Sequence, residues 1–486
     1  MQQLSGMDNL FIQVERQGLP QHIGGVGIFD PSTAAGGKVR FKDIVDLFAS
    51  RSHLSPIFRR KLVDVPFGLD RPYWVEDQEF DPEFHVRHIA LPQPGDWRQL
   101  CILTARIHAR PLDLSRPLWE AYVIEGLNNV EGVPAGSFAL LTKIHHSVMD
   151  GVSGMQFYGA LMDATPAPRS VEPTPQVLER IPSNAELFTK AYINNLRKPK
   201  QVLQFLKEVL GSRARLKSGR EQHSFHELGD IPKTRFQGKI SKSRVVDAVQ
   251  FDFAHFRAIK NRIAGATIND VALTVVAGAM RAYLDSKGEL PEESLVAGCP
   301  VDVREDGERD ADGNMVGYMY ISMRTDIADP LQRLAAVHDE SVSAKAYLTA
   351  FGPRTGIHLL DTVPSGIMTL ALRAASITGL SDASVTNNTV VTNVPGAGTS
   401  YYLAGARSVR QMSLGTLLPN VGLFQTITSQ VLDNKGTLFI SFVACREMLP
   451  DPAFYAQCLR DSFAALHRAA RAKPVKQGKT SKKRRR

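Results

Sequence analysis

Cysteine is scarce in this chain of 486 residues. The four that occur are scattered along the sequence without a CxxC pair: Cys101, Cys299, Cys445 and Cys458. So sparse a set excludes the dense disulfide framework of a small secreted domain, and the missing paired spacing argues against a structural zinc site. The usage suits a reducing compartment, so we expect a cytoplasmic location.

Long apolar runs are also missing. The most apolar segment, from Val271 to Met280, is interrupted by Arg281, and it falls short of the roughly 18–20 residues that cross a membrane. Met1 to Phe11 has neither the basic start nor the apolar core of a secretory signal. We therefore expect no spanning segment, and any association with the inner membrane or with lipid droplets would be peripheral.

The body of the chain lacks an excess of either charge. Lysine and arginine number 58 against 49 acidic residues, but nine of the basic side chains fall in the last sixteen residues, Arg471 to Arg486. Without this tail the two signs balance. The globular part is therefore no general polyanion binder, and we expect no nucleic-acid partner.

The remaining composition is that of an ordinary globular protein. Hydrophobic residues make up 43% of the chain and charged residues 22%, and the length suits about two or three domains. Strand and helix patterns alternate in both halves, which predicts an α/β (α+β) fold. The predicted parts are an N-terminal lobe (1–165), a basic helical linker (166–245), a C-terminal lobe (246–470) and a disordered basic tail (471–486).

A histidine pair at the end of a predicted strand is the most specific chemical signal. Strand patterning covers Ser137 to His146, and a helical pattern begins after a turn at Asp150 and Gly151. Adjacent strand residues point to opposite faces, so His145 and His146 cannot share one task or hold one metal ion. We expect one ring to reach a cleft while the other packs inside. A purely structural pair, satisfied by backbone groups, is the alternative.

The segment KIHHSVMDGVSG resembles the HHxxxDG motif of the CoA-dependent acyltransferase superfamily, which includes peptide condensation domains and chloramphenicol acetyltransferase. Other segments are similar to one branch, the bacterial wax ester synthase/diacylglycerol acyltransferase family. They occur in family order across nearly the whole chain: MDNLFIQVE, QHIGGVGIFD, FHVRHIALPQPG, PLDLSRPLWEAYVIEGL, GATINDV, CPVDVR, GNMVGY, TNVPGAG and YYLAGAR. Two positions depart from the family pattern, Ala397 and Asp302, and neither lies in the histidine motif.

The resemblance implies two chloramphenicol-acetyltransferase-like lobes joined by a helical linker, with the active site in a tunnel between them. It implies acyl transfer from acyl-CoA to a fatty alcohol, to diacylglycerol or to both, without an acyl-enzyme and without a cofactor. His146 would be the general base, because a largely neutral imidazole suits that task. His145 would support the loop, Asp150 would maintain its architecture, and Gly151 would let the backbone pass close to the site.

Asn269 and Asp270 form a weaker candidate for substrate binding. They begin a predicted helix, where an amide could donate to a developing oxyanion. Helix capping by Asn269 or Asp270 explains the pair equally well. We predict no metal site, because the HxxH pairs of the chain have no further ligand nearby in the sequence.

Two rival functions fit part of the pattern. A stand-alone condensation-type acyltransferase shares the histidine motif, but no carrier-protein module lies on this chain, and the NDV and NVPG segments favour the lipid branch. A non-enzymatic lipid-droplet-binding protein would explain the basic tail and linker, yet it would need no intact histidine motif. The expected partners are acyl-CoA, a long-chain alcohol or diacylglycerol, and an anionic membrane or lipid-droplet surface.

Overall fold

The computed structural model describes residues 1–149, 151–172, 180–222, 224–225, 228–304, 314–378, 385–432 and 435–472. Its helices are α1 (Gly6–Glu15), α2 (Phe41–Arg51), α3 (Pro82–His85), α4 (Trp97–His108), α5 (Gly151–Leu161), α6 (Asn184–Glu221), α7 (Phe253–Lys260), α8 (Ile268–Ser286), α9 (Pro330–Phe351), α10 (Thr355–Thr362), α11 (Ser365–Thr378) and α12 (Pro452–Arg471). Its strands are β1 (Gln2–Gln3), β2 (His22–Asp30), β3 (Arg60–Val63), β4 (Tyr73–Glu76), β5 (Val86–Ala90), β6 (Trp119–Glu125), β7 (Phe138–His145), β8 (Arg244–Asp252), β9 (Val296–Asp302), β10 (Val316–Ser322), β11 (Thr389–Pro395), β12 (Tyr402–Leu403), β13 (Ala406–Leu414), β14 (Leu423–Leu432) and β15 (Lys435–Cys445). The predicted mixed α/β class is confirmed.

The first large sheet delivers the histidine motif. Its strand order is β12-β13-β2-β7-β6-β5. β7 pairs antiparallel with β2 and β6, and all of its residues are buried. Because both faces of β7 are covered, its polar residues Thr142, Lys143 and His145 are buried together with its apolar ones. The predicted strand from Ser137 to His146 is one residue longer at each end than the observed β7.

The second large sheet has the order β10-β9-β11-β14-β15-β8, and a small sheet, β1-β4-β3, lies near the N-terminus. α8 is apolar on nearly all sides from Val271 to Met280 and is buried over that length. One apolar core joins the two lobes, because Val26 and Leu141 of the first sheet belong to the same buried cluster as Val249 of the second sheet and Leu273 of α8. The lobes therefore pack as one body around shared side chains.

Two strands from the second half of the chain lie in the first sheet. β13 pairs antiparallel with β2 from Arg407 opposite Asp30 to Leu414 opposite Gly24. Residues 402–414, placed by the sequence prediction in the C-terminal lobe, thus extend the N-terminal sheet. Without them β2 would be an edge strand with a row of unpaired backbone groups. A Cβ atom on Gly24 would lie 2.0 Å from the carbonyl oxygen of Thr142, so this glycine serves strand packing.

The linker forms one long helix, α6, which continues for 38 residues through Pro199. It begins with a capping box, in which the Ser183 amide donates to Glu186 at 2.7 Å. Asn194 Nδ2 donates to Asp70 Oδ2 of the first lobe at 2.8 Å, and Arg215 Nε donates to the carbonyl of Ala350 in the second at 3.0 Å. Within the described ranges, no helix is both long enough and apolar enough to cross a bilayer.

Candidate active site

The two histidines of the motif have different surroundings, as the sequence predicts. His145 is the last residue of β7 and is completely buried. Its Nε2 lies 3.1 Å from Oε2 of Glu15, and its Nδ1 lies 2.7 Å from Oγ of Ser147. The Ser147 amide also donates to Nδ1 at 3.1 Å, so the proton of a neutral ring sits on Nε2 and faces Glu15. His145 is thus held between Glu15 and Ser147 at the base of the loop.

Glu15 is well suited to this supporting role. Its side chain is buried, and its Oε2 accepts a 2.7 Å hydrogen bond from the amide of Gln21. Burial alone would raise the pKa of Glu15, but the hydrogen bonds with His145 and with the amides of Gln21 and Leu112 lower it overall. A carboxylate therefore faces the inner histidine, although the sequence analysis did not single it out.

His146 follows the strand and is held mainly through its backbone. Its amide donates to the carbonyl of Gln21 at 2.8 Å, and its carbonyl accepts from Asn314 Nδ2 at 2.7 Å. The imidazole stacks on Phe11, with ring centroids 4.2 Å apart and an interplanar angle of 16°. Nδ1 is buried and has no hydrogen-bond partner among the described residues. Burial lowers the pKa of His146 to about 4, so the ring is neutral at physiological pH.

A bridge between the two halves of the chain supports the His146 loop. Asn314 Nδ2 donates both to the carbonyl of His146 and, at 2.6 Å, to Oδ1 of Asp8. Both side chains are buried, and burial raises the pKa of Asp8 despite these hydrogen bonds. Asn314 belongs to the GNMVGY segment, and Asp8 lies near the N-terminus, so the loop is held by residues far apart in sequence.

Helix α1 is the main functional element that sequence reasoning missed. Asp8, Phe11 and Glu15 are separated by three and four positions, which places them on one side of the helix. That side faces Asn314 and both histidines. The helical spacing within MDNLFIQVE was a usable signal, but the segment contributed to the prediction only through its family resemblance. At Gly6 the helix passes so close to α10 that a Cβ atom would lie 2.4 Å from the carbonyl carbon of Leu360.

A cavity of about 380 Å³ adjoins the His146 loop. Its inner end includes Asp8, Ser147 and Asn314, which are neighbours of His146 in sequence or by contact. Further lining residues come from α6, α10, the small sheet and the loop before β4: Gln201, Asp361, Trp74, Gln3 and Arg71. The cavity therefore leads from the surface to the residues that flank His146.

The other predicted site residues are placed as follows. Gly151 begins α5, directly after the loop, and Asp150 lies outside the described residues. Asn269 and Asp270 lie in the first turn of α8, where Asp270 Oδ2 accepts from the Thr267 amide at 2.8 Å in a capping box. The same oxygen lies 3.0 Å from Nδ1 of His338. These contacts favour the capping explanation for Asp270, and a substrate-binding role for the pair stays a prediction.

A second buried histidine pair lies beside the motif. His22 is the register partner of His145 on β2, and its Nε2 contacts the carbonyl of His108. His108 Nε2 lies 2.9 Å from the carbonyl of Gly415. Burial lowers the pKa of His108 to about 4 and places that of His22 well below its usual range. Both rings are neutral structural groups at physiological pH.

Two sheet-rich lobes with a histidine loop between them form the fold of CoA-dependent acyltransferases. The starter condensation domain of rhizomide synthetase RzmA, solved with C8-CoA, aligns with 96% of this chain and 94% of its own length. Its TM-score is 0.54 at 14% sequence identity. At this identity the likeness establishes the shared fold.

Closer relatives define the family. Models of the wax ester synthase/diacylglycerol acyltransferase catalytic domain and of the WS/DGAT C-terminal domain match residues 4–272 and 312–467. The wax ester synthase/diacylglycerol acyltransferase from Marinobacter aquaeolei VT8 aligns with 97% of this chain and 100% of its own, with a TM-score of 0.68 and 26% identity. A candidate diacylglycerol O-acyltransferase of Mycobacterium tuberculosis H37Rv is 34% identical over 463 residues, 93% of this chain and 87% of the relative. The chain belongs to this family and is an acyltransferase.

Proposed function

We propose that this enzyme transfers a long-chain acyl group from acyl-CoA to the hydroxyl of a fatty alcohol, of diacylglycerol, or of both. Membership of the family supports these substrate classes. The observation that carries the proposal is the position of His146, which is partly exposed next to Ser147 and Asn314 of the cavity, whereas His145, His22 and His108 are buried. The alternative of a purely structural histidine pair fits His145 and does not explain His146.

The proposed reaction is a direct displacement with His146 as general base. The acceptor oxygen attacks the thioester carbonyl while the imidazole takes the hydroxyl proton. The tetrahedral intermediate collapses, the carbon–sulfur bond breaks, and the proton passes from His146 to the sulfur of coenzyme A. A well-placed base typically contributes about 10²–10⁴-fold in rate. The face of Phe11 stabilises the transient imidazolium, because a cation is attracted to an aromatic ring.

Other residues position the base without touching substrate. Glu15 fixes the inner histidine, and Asn314, itself held by Asp8, fixes the carbonyl of His146. Asp150 is proposed to maintain the loop and the start of α5. No metal, cofactor or carrier protein is part of the proposed reaction.

The test measures thiol release from palmitoyl-CoA, with and without hexadecanol or dioleoylglycerol. Release by the wild type should depend on the acceptor, and His146→Ala should lose at least about a hundredfold in kcat with an unchanged circular-dichroism spectrum. His88→Ala is the matched control, because that imidazole is exposed and lies on the edge strand β5. Near-normal turnover by folded His146→Ala would remove the general-base role, and release independent of any acceptor would contradict the substrate assignment.

The enzyme is further proposed to work at a lipid surface. Its proposed acceptors are nearly insoluble in water, and the chain offers two basic segments, α6 and the C-terminal tail, of which residues 473–486 lie outside the described part of the chain. Near an anionic leaflet each lysine or arginine contributes up to about 1 kcal/mol, and the attraction fades within a Debye length. Binding of this kind is reversible and sensitive to salt.

A further inference from the structure

The outer side of α6 is apolar where a surface helix is normally polar. Six large side chains recur at intervals of four, four, seven, three and four residues, which places them along one side of the helix. They are Phe188, Tyr192, Leu196, Leu203, Leu206 and Leu210, and all are exposed, Leu196 by 63% and Leu210 by 64%. At 1.5 Å per residue the row is about 33 Å long. A different side of α6 packs on the protein through Leu187 and Ala191.

Neighbouring elements extend this row. Phe67 is 90% exposed, and its ring lies 6.0 Å from that of Phe188. The backbone of Phe67 has a φ of 58°, a conformation that costs free energy in a non-glycine residue and projects the ring outward. Gly366 of α11 lies close to Gly68, and the next turn of that helix exposes Ile367 and Leu370. We call the α6 row, Phe67, Ile367 and Leu370 together the apolar face.

Positive charge borders the apolar face. Lys200, Lys207 and Arg213 are exposed and make no ion pair with the described residues. The acidic residue in the same stretch, Glu208, is turned inward, where it accepts from Thr355 Oγ1 at 2.9 Å and lies 2.7 Å from Nδ1 of His358. The solvent side of the helix therefore combines a continuous apolar row with uncompensated basic groups.

The apolar face also adjoins the way into the active site. Gln201 of α6 lines the cavity that ends beside the His146 loop, and Asp361 lines the same cavity from α10, directly before α11. A lipid held against the face is thus next to a path toward the catalytic base.

We propose that the apolar face inserts into the surface layer of an anionic lipid membrane or droplet. The biological role of this contact rests on the proposed function. The contact is hydrophobic, whereas the basic segments alone would bind only by charge. A second copy of the chain fits less well. A two-fold contact across this face would bring Lys200, Lys207 and Arg213 of the two copies together, and like charges repel.

The experiment compares three full-length proteins in sedimentation with phosphatidylcholine:phosphatidylglycerol vesicles at 0.5 M NaCl, where screening suppresses binding by the basic tail. The face variant is Leu203→Ser/Leu206→Ser. The matched control is Leu54→Ser/Phe454→Ser, which removes two exposed apolar side chains elsewhere. Each of the two leucines is about half exposed, and at ordinary transfer energies the loss of both should weaken vesicle binding by the face variant about thirtyfold. The control variant should bind vesicles as strongly as the wild type.

Equal binding by the wild type and the face variant overturns the proposal. It is also overturned if the wild type sediments as a dimer that the face variant dissociates while vesicle binding is unchanged, because the face would then join two copies. Acyl transfer from octanoyl-CoA to dissolved 1-hexanol is measured in parallel and should be the same in all three proteins. A wild type that binds vesicles but shows no transfer counts against the proposed function alone.

Discussion

The dependence of kcat/KM on pH in the acid range tests whether His146 is a desolvated base. A base with the ordinary histidine pKa of about 6.5 is only about 9% neutral at pH 5.5. Burial lowers the pKa of His146 to about 4, which leaves the ring about 97% neutral at that pH. We therefore expect kcat/KM, which reports the free enzyme, to stay nearly constant from pH 7.5 to pH 5.5.

The measurement is coenzyme A release in quenched samples that are brought to one pH before thiol detection. Circular dichroism at each pH confirms that the enzyme is folded. Phe11→Ser should move the acid limb to higher pH, because water reaches the ring that Phe11 now covers, and Phe11→Leu should leave it in place. A tenfold fall in kcat/KM by pH 5.5 in folded wild-type enzyme would refute the assignment of a desolvated His146 as the base.

Three further predictions concern stability and location. His145→Ala should lower the free energy of unfolding by about 3–5 kcal/mol in urea titrations, because it leaves the Glu15 carboxylate buried without its partner; a loss under 1 kcal/mol would contradict the buried pair. The His108 pKa of about 4 lies below its unfolded value, so stability falls as pH drops from about 6.5 toward 4. Between pH 7.5 and pH 5 the free energy of unfolding of His108→Gln should fall by about 2 kcal/mol less than that of the wild type. The control Ile107→Val should keep the wild-type dependence on pH. The same dependence on pH in all three proteins would be inconsistent with a neutral buried ring. Deleting Lys473 to Arg486 should weaken binding to anionic vesicles at low salt while turnover on detergent-dispersed substrate is kept, and equal binding would show that the tail is not an anchor.

Local signals made the strands around the motif predictable. The strand predicted over Ser137 to His146 matches β7 to within one residue at each end. Strand geometry predicted different surroundings for His145 and His146, although His146 lies one residue beyond the end of β7. Such features need only neighbouring residues, which is why the sequence is sufficient for them.

Contacts across long stretches of chain were not predictable in the same way. The bond from Asn314 to Asp8 joins residues 306 positions apart, and no local pattern indicates that partnership. The outward direction of the apolar side of α6 was missed for a related reason, since an amphipathic pattern does not say which side meets the protein. Asp270 is ambiguous from sequence because helix capping and oxyanion binding favour the same residue types at the same position.

The insertion of β13 beside β2 has a consequence for how the protein is made. Asp30 leaves the ribosome about 380 residues before its partner Arg407, a delay of roughly 20–75 s at ordinary elongation rates. Throughout that interval the open edge of β2 is available to other strands, including those of neighbouring nascent chains. The first lobe therefore cannot complete its sheet until β13 has been synthesised. An N-terminal fragment that ends within α6 would keep the backbone groups along one edge of β2 unpaired, and this edge could pair with strands of other chains.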